Sequence, residues 1–189
     1  MSVCVFCGSA PGARPSYSAA ARELGAALAH QGMTLVYGGG RLGLMGILAD
    51  AVLQAGGRVI GVIPRMLIER EAAHPRLTRQ HVVTTMHERK TLMAEMSDAF
   101  VGLPGGMGTF DELVEIVTWA QLGLHAKPVV LANIEDYFQP MYAMLDNAVT
   151  EGFVTAQSRA RWRNADSVNA VMQILAKEGL AGDDPVRIS

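Results

Sequence analysis

The sequence predicts an α/β fold in which helices cover both faces of one doubly wound parallel sheet. Half of the 189 residues are apolar and 18% are charged, which is typical of a globular chain with a large buried core. Short apolar stretches of about four to seven residues alternate with stretches of helical spacing, as in parallel sheets. Because no repeat or linker interrupts this alternation, we expect one domain over 1–181 and a polar tail over 182–189.

Up to residue 63 the chain alternates between strand and helix. Leu24 and Leu28 lie four positions apart, which puts them on one helix face, and a glycine or proline follows each predicted element. The predicted elements, in order, are strand 2–7, helix 17–30, strand 33–37, helix 44–55 and strand 58–63.

Residues 65–80 are charged, include Pro75 and predict an irregular loop. The alternation resumes after this loop, and one of the later strands leads directly into the glycine-rich sequence at 104–109. The predicted elements are strand 81–85, helix 87–96, strand 99–103, helix 113–122, strand 127–133, helix 137–149, a strand near Trp162 and helix 167–177.

Charge and composition exclude several classes of protein. A formal net charge of −2 argues against a nucleic-acid-binding protein, so we expect no nucleic-acid partner. The chain has no run of about 18 apolar residues and its N-terminus does not resemble a signal peptide, so we expect a cytoplasmic protein without a membrane partner. Cys4 and Cys7 are the only cysteines, and they fall in one predicted strand on opposite faces. We therefore interpret them as buried thiols.

Three loops at the predicted carboxyl edge of the sheet are candidates for a ligand site. They begin at Gly8-Ser9-Ala10, at Gly38 and at Pro104, and the last two are rich in glycine. Glycine lets backbone N–H groups approach an anion, and the following helix N-terminus favours a phosphate. The second loop, 38–43, also matches G-x-G-x-x-G, but no acidic residue ends the next strand, so a dinucleotide site is the weaker alternative.

Charged residues next to these loops allow more than one interpretation. Thr109 and Glu112 have the T-x-x-E spacing of a capping box, and from spacing alone Glu112 is a helix cap; Glu115 follows one turn later. Arg89 and Lys90 begin a predicted helix, where cations oppose the helix dipole. They either bind an anionic ligand or form a solvated surface pair. The histidines have no metal-binding spacing, so we expect no metal site.

Several motifs together resemble one family. Residues 104–112 read P-G-G-x-G-T-x-x-E, 86–90 read M-H-x-R-K, 6–9 read F-C-G-S, 37–40 read Y-G-G-G and 43–46 read G-L-M-G. This combination resembles the LOG ("Lonely guy") family of cytokinin riboside 5′-monophosphate phosphoribohydrolases. Many members carry the label "possible lysine decarboxylase", but the sequence has no evident setting for a pyridoxal-phosphate lysine.

The resemblance implies a Rossmann-like homodimer that hydrolyses N6-substituted AMP derivatives to a free base and ribose 5-phosphate. Neither a metal nor an organic cofactor is implied. Arg89 and Glu112 match the catalytic pair. The implied substrate- and phosphate-binding residues are Ser9, Gly39, Gly40, Gly43, Glu71, Met86, Lys90, Gly105, Gly106, Met107, Gly108, Thr109 and Thr118. Glu69, two positions earlier, is the alternative to Glu71. A non-catalytic carrier is the alternative, because related P-G-G-x-G-T proteins bind molybdenum cofactor.

Overall fold

Parallel strands form a single sheet in the computed structural model, which describes residues 1–68 and 72–181. The seven strands found within these residues are β1 (Ser2–Phe6), β2 (Thr34–Tyr37), β3 (Arg58–Pro64), β4 (Arg79–Val83), β5 (Ala99–Gly102), β6 (Val129–Ala132) and β7 (Trp162–Ala165). Their order across the sheet is β4-β3-β2-β1-β5-β6-β7, and every neighbouring pair is parallel.

Helices follow most of the strands. They are α1 (Pro15–His30), α2 (Gly43–Gln54), α3 (Met86–Glu95), α4 (Met107–Gln121), α5 (Gln139–Thr150), α6 (Ala156–Arg159) and α7 (Val168–Ala181). Short 3₁₀ turns at Arg65–Leu67 and Ile134–Asp136 precede β4 and α5. Among the helices of residues 1–68 and 72–181, none has both the length and the apolar character needed to span a bilayer.

Both faces of the sheet are covered, which confirms the predicted fold class. On one face, Leu24 of α1 and Leu48 of α2 belong to the same buried cluster as Val5 of β1. On the other face, Met93 of α3 and Leu113 of α4 pack in a second cluster. Strands buried on both faces consist almost entirely of apolar residues, which is why short apolar runs identified them.

The direction of the chain across the sheet reverses between β1 and β5. From β1 the chain moves outward through β2, β3 and β4, and it then returns to place β5 on the other side of β1. Val5 pairs with Val101 and Phe6 with Gly102, so these two strands end side by side. A crevice opens at such a switch point because the two following loops leave in opposite directions.

Both cysteines are buried on opposite faces as predicted, but Cys7 lies one residue beyond the end of β1 and not within the strand. Cys4 is buried in the cluster beneath α3 and α4, whereas Cys7 belongs to the cluster on the opposite face. Burial, and then the nearby Glu112 carboxylate, raise the pKa of each thiol above its usual value. Both thiols are therefore kept protonated by their surroundings.

Two predicted boundaries are wrong around α3. The fourth strand was expected at 81–85 but covers Arg79–Val83, where Ile63 of β3 pairs with Val82. Thr85 instead caps α3: its hydroxyl accepts a hydrogen bond of 3.1 Å from the Glu88 N–H. The Glu88 carboxylate accepts bonds from the Thr84 and Thr85 N–H groups at 2.7 and 3.4 Å. This capping box ends the extended segment and starts the helix earlier than expected.

The largest boundary error concerns α4. We expected a helix over 113–122, whereas the helix runs over Met107–Gln121 and includes half of the glycine-rich motif. Gly106 is its N-cap. Glycines suggested a loop at 104–109, but a glycine N-cap and one glycine in the first turn are compatible with a helix that is fixed by packing. The short helix α6 was not predicted at all, and residues 182–189, the predicted tail, lie outside the described residues.

Candidate active site

The loops that follow β1 and β5 touch each other above the switch point. The Gly8 N–H donates a hydrogen bond of 3.0 Å to the carbonyl oxygen of Pro104, and the Leu44 N–H donates one of 3.0 Å to that of Gly8. Gly43 has a φ of +58° and packs so closely on the Ser9 backbone that a Cβ would overlap it. The first and second glycine-containing loops and the P-G-G motif thus form one connected surface.

A cavity of about 230 Å³ opens beside this surface. It brings together residues that are far apart in the sequence, including the two predicted catalytic residues, Arg89 and Glu112. The other predicted site residues that line it are Ser9, Met86, Gly106, Met107, Gly108 and Thr109. Cys7, Met45, Leu67 and Asp111 complete much of the wall and were not predicted.

The N-terminus of α4 forms one side of the cavity. No side chain caps this helix at Gly106, and the first intrahelical donor is the Phe110 N–H, 3.1 Å from the Gly106 carbonyl oxygen. The N–H groups of the first helical turn are therefore left to a ligand or solvent. Gly105 has no space for a Cβ because the Thr109 side chain, which is buried, occupies it. These features fit an anion at the helix N-terminus.

Glu112 does not cap this helix. Because α4 begins at Met107, Thr109 is already the third helical residue and Glu112 lies almost one turn further along. The capping-box interpretation of Thr109 and Glu112 is therefore wrong. Glu112 is half-buried and faces the cavity next to Cys7, and its charge is one of the causes that raise the pKa of that thiol, after burial.

Arg89 is a buried cation with only 4% of its surface exposed. Its Nε donates to the Val62 carbonyl oxygen at 3.1 Å and its Nη2 to the Gly38 carbonyl oxygen at 2.8 Å. Gly38 has no space for a Cβ, because the guanidinium group occupies that position. The Arg89 Nη1 also lies 4.0 Å from the Met86 sulfur. Carbonyl oxygens at the ends of β2 and β3 thus hold the guanidinium group in one orientation.

Lys90 lies outside the cavity wall. Its Nζ forms ion pairs with Asp111 at 3.1 Å and with Glu115 at 2.9 Å, which joins α3 to α4. Burial opposes the charge of Lys90, but these carboxylates outweigh it and the pKa of Lys90 is raised. Glu115, one turn after Glu112, is therefore a partner of Lys90. Thr118, one turn after Glu115 on α4, is exposed, and its hydroxyl donates to the Val114 carbonyl oxygen at 2.7 Å.

Gly39 and Gly40 serve mainly to anchor the segment that precedes β4. Gly39 has a φ of +80°, and its carbonyl oxygen accepts a hydrogen bond of 2.9 Å from the His74 N–H. Gly40 forms an antiparallel bridge with Ala73. Neither glycine, nor Gly43, lines the 230 Å³ cavity. Glu71, also predicted to contact the substrate, lies outside the described residues.

His74 is a residue that sequence reasoning missed. It is buried, and its Nε2 lies 3.2 Å from Oδ1 of Asp50 on α2, while its Nδ1 accepts a hydrogen bond of 3.2 Å from the Arg76 N–H. An acceptor role for Nδ1 puts the proton on Nε2, so the ring donates to Asp50. His74 lies in the segment 65–80, which has no periodic pattern, so the sequence did not indicate its contact with Asp50.

A second cavity, of about 290 Å³, adjoins the first and shares Gly8, Ser9 and Gly106 with it. Tyr17 and Tyr137 line it, with ring centroids 5.7 Å apart in an edge-to-face arrangement. The Tyr137 hydroxyl donates a hydrogen bond to the Gly105 carbonyl oxygen and so supports the P-G-G motif from the end of β6. Tyr137 belongs to no recognised motif, and only the fold brings it here.

Comparison with known proteins identifies close relatives. The profile of the family described as "possible lysine decarboxylase" matches residues 45–175. A cytokinin riboside 5′-monophosphate phosphoribohydrolase of Rhodococcoides fascians is 51% identical over 161 residues, which cover 85% of this chain and 81% of the relative. Proteins of the same name from Oryza sativa subsp. japonica and Arabidopsis thaliana are each 50% identical over 83% of this chain. The alignments span 65% of the rice protein and 74% of the Arabidopsis protein.

Solved structures resemble the fold as a whole. The molybdenum cofactor carrier protein of Chlamydomonas reinhardtii superposes with a TM-score of 0.72 at 21% identity, covering 95% of this chain and 98% of its own. The molybdenum cofactor binding protein of Rippkaea orientalis gives 0.68 at 20% identity, covering 93% and 95%. At these identities the likeness concerns the fold alone. By its family profile and its close relatives, the chain belongs to the LOG family of cytokinin riboside 5′-monophosphate phosphoribohydrolases.

Proposed function

We propose that this protein hydrolyses the N-glycosidic bond of adenosine 5′-monophosphates, including N6-substituted ones, to a free base and ribose 5-phosphate. Its close relatives carry the name of this activity. The observation that carries the proposal is the presence of Arg89 and Glu112 in one cavity at the uncapped N-terminus of α4. An anion-binding helix end beside a carboxylate suits a substrate with a phosphate near a cleavable sugar–base bond.

The 5′-phosphate binds at the N-terminus of α4 in this proposal. Gly106, Met107 and Gly108 contribute backbone N–H groups, and Gly105 lets the Thr109 side chain pack beneath them. Gly39, Gly40 and Gly43 act indirectly, because they keep the neighbouring loops in place. Binding energy from the phosphate then positions the ribose for reaction.

Cleavage requires stabilisation of positive charge that develops at the anomeric carbon. The Glu112 carboxylate either stabilises this charge directly or accepts a proton from the attacking water, a contribution of about 10²–10⁴-fold. Water adds its oxygen to the anomeric carbon, the carbon–nitrogen bond breaks, and a proton reaches the departing base. Arg89 is held in place by two carbonyl oxygens. Its positive charge favours the ionised form of a carboxylate in the same cavity. Its guanidinium group can also donate paired hydrogen bonds to substrate oxygens.

A homodimer belongs to the same proposal. The exposed face of α4 carries Val114 at 50% and Leu122 at 68% exposure, with the predicted substrate contact Thr118 between them. A second copy on this face would bury these apolar side chains and would bring Lys90 and Thr118 close to a bound substrate. We further propose that 1–181 is the catalytic domain, that 182–189 is a tail and that the protein acts in the cytoplasm.

The decisive experiment is incubation of the purified protein with AMP and with N6-isopentenyl-AMP, followed by chromatography for free base and ribose 5-phosphate. We expect equal amounts of the two products. A protein that only carries a nucleotide or cofactor would return the AMP unchanged.

A further inference from the structure

A third cavity, lined partly by cations, lies at the amino-terminal ends of the strands, on the opposite side of the sheet from the candidate active site. It has a volume of about 230 Å³ and opens where β6 and β7 begin. Lys127, which precedes β6, lines it together with Arg161, Arg163 and Gln157. No acidic residue belongs to its described wall, although the chain as a whole has a net charge of −2.

Two neighbouring cations, Arg159 and Lys90, have carboxylate partners among the described residues, unlike Lys127 and Arg161. Arg159, two positions before Arg161, pairs with Asp146 at 2.6 Å, and Lys90 has two acidic partners. The Lys127 Nζ donates to the Ala94 carbonyl oxygen at 2.9 Å. Among the described side chains, those of residues 1–68 and 72–177, no carboxylate lies within ion-pair distance of Lys127 or Arg161.

The Arg161 side chain has an unsatisfied donor. Its Nε is fully buried and has no hydrogen-bond partner among the described residues. Buried N–H groups are rarely left without an acceptor, because desolvation without a new hydrogen bond is costly. Because the Nε is closed to solvent, an acceptor in the cavity satisfies this donor once the Arg161 guanidinium group turns towards it.

His125 lies close to the two cations of the cavity. Its Nε2 lies 2.9 Å from the Ile116 carbonyl oxygen, and its ring is 5.4 Å from that of Phe100. Burial lowers the pKa of His125, and the charges of Lys127 and Arg161 lower it further, although the Ile116 carbonyl opposes them. The imidazole thus lies within the electrostatic reach of both cations.

We propose that this cavity binds a phosphate group, with Arg161 and Lys127 as its principal ligands. Arginine presents N–H donors in a fork that matches phosphate oxygens, and lysine adds a point charge. The volume is several times the roughly 30 Å³ of one water molecule, so it admits a phosphate with a small substituent. The site is separate from the phosphate position proposed at α4, and it does not depend on the hydrolytic reaction.

The test uses His125 as a local probe, because the candidate active site also binds phosphate. The pKa of His125 is measured by NMR in the full-length protein with inorganic phosphate, with ribose 5-phosphate and with chloride at the same ionic strength. Bound phosphate offsets the two cations, so we expect both phosphate probes to raise the pKa of His125 and to shift the Arg161 Nε–H signal. The tighter of the two probes identifies the source of the phosphate group.

Arg161→Gln should weaken this binding at least about tenfold, as expected for a lost charge-assisted contact. Arg58→Gln removes the same charge from an exposed position at the start of β3 and should leave the His125 response unchanged. Arg161→Lys keeps the charge but lacks the paired N–H donors, so it should bind phosphate with intermediate affinity. This variant still tests the proposal if Arg161→Gln fails to fold. An equal response to chloride, or an unchanged response in both Arg161 variants, would overturn the proposal.

Discussion

Arg89 and Gly38 depend on each other: the guanidinium group donates a 2.8 Å hydrogen bond to the Gly38 carbonyl oxygen and occupies the space of a Gly38 side chain. Gly38 directly follows β2, and Arg89 is the fourth residue of α3. A side chain at position 38 would overlap the guanidinium group of Arg89, a proposed catalytic residue, so glycine is required here for steric reasons.

Gly38→Ala should displace the Arg89 guanidinium group. We expect a loss of about 1–3 kcal/mol in the free energy of unfolding, which is typical of overpacking, and at least a tenfold loss of AMP hydrolysis. Denaturant unfolding and a chromatographic assay measure the two effects. In an Arg89→Ala background the same substitution should cost much less stability, because the clash is gone. Equal costs in the two backgrounds would mean that Gly38 acts through something other than Arg89.

Glu112→Gln should lower kcat for AMP by about 10²–10⁴-fold while AMP still binds, because the amide cannot act as a base or carry the negative charge. Calorimetric titration with AMP and steady-state kinetics separate binding from turnover. Glu23→Gln makes the same chemical change on the exposed surface of α1 and serves as the control. Normal turnover in Glu112→Gln would remove this carboxylate from the mechanism.

AMP should be preferred over adenosine by at least about a hundredfold in kcat/KM. The first-turn N–H groups of α4 have no partner when the phosphate is missing, and a site built around such contacts discriminates strongly. Parallel assays of AMP and adenosine at subsaturating concentration give the ratio. Similar rates on the two compounds would mean that the helix N-terminus does not bind the phosphate.

Thr85→Ala should destabilise the protein by about 0.5–2 kcal/mol through loss of the α3 cap. It should also reduce activity, since Arg89 lies in the fourth helical position after this cap. Thermal unfolding and the AMP assay detect these changes. Thr85→Ser retains the hydroxyl and should behave nearly as the wild type; if Thr85→Ser is as destabilised as Thr85→Ala, the cap is not the cause.

Local patterns were sufficient to predict the sheet. Apolar runs identify strands such as Ala99–Gly102 because both of their faces are buried. Sequence also predicted that glycine-containing loops gather at the carboxyl edge of the sheet, and the loops after β1 and β5 are in contact there. Motif resemblance then selected Arg89 and Glu112, which the structure brings into one cavity.

Contacts between distant segments could not be predicted. The bond from Tyr137 to Gly105 and the pairing of His74 with Asp50 join residues that share no periodic pattern. The start of α4 was also predicted wrongly, because its N-cap is Gly106 and a glycine-rich sequence usually indicates a loop. Conversely, the T-x-x-E spacing occurs twice, and only the structure shows that it forms a capping box at Thr85 and not at Thr109.

The cysteine in the cavity wall has a chemical consequence for the enzyme. Thiol reagents and peroxides attack the thiolate form, and the burial of Cys7 together with the Glu112 carboxylate keeps its thiol protonated. The carboxylate that we propose for glycoside cleavage thereby also disfavours alkylation and oxidation of the adjacent sulfur. Removing this charge, as in Glu112→Gln, would leave burial as the main protection of the Cys7 thiol.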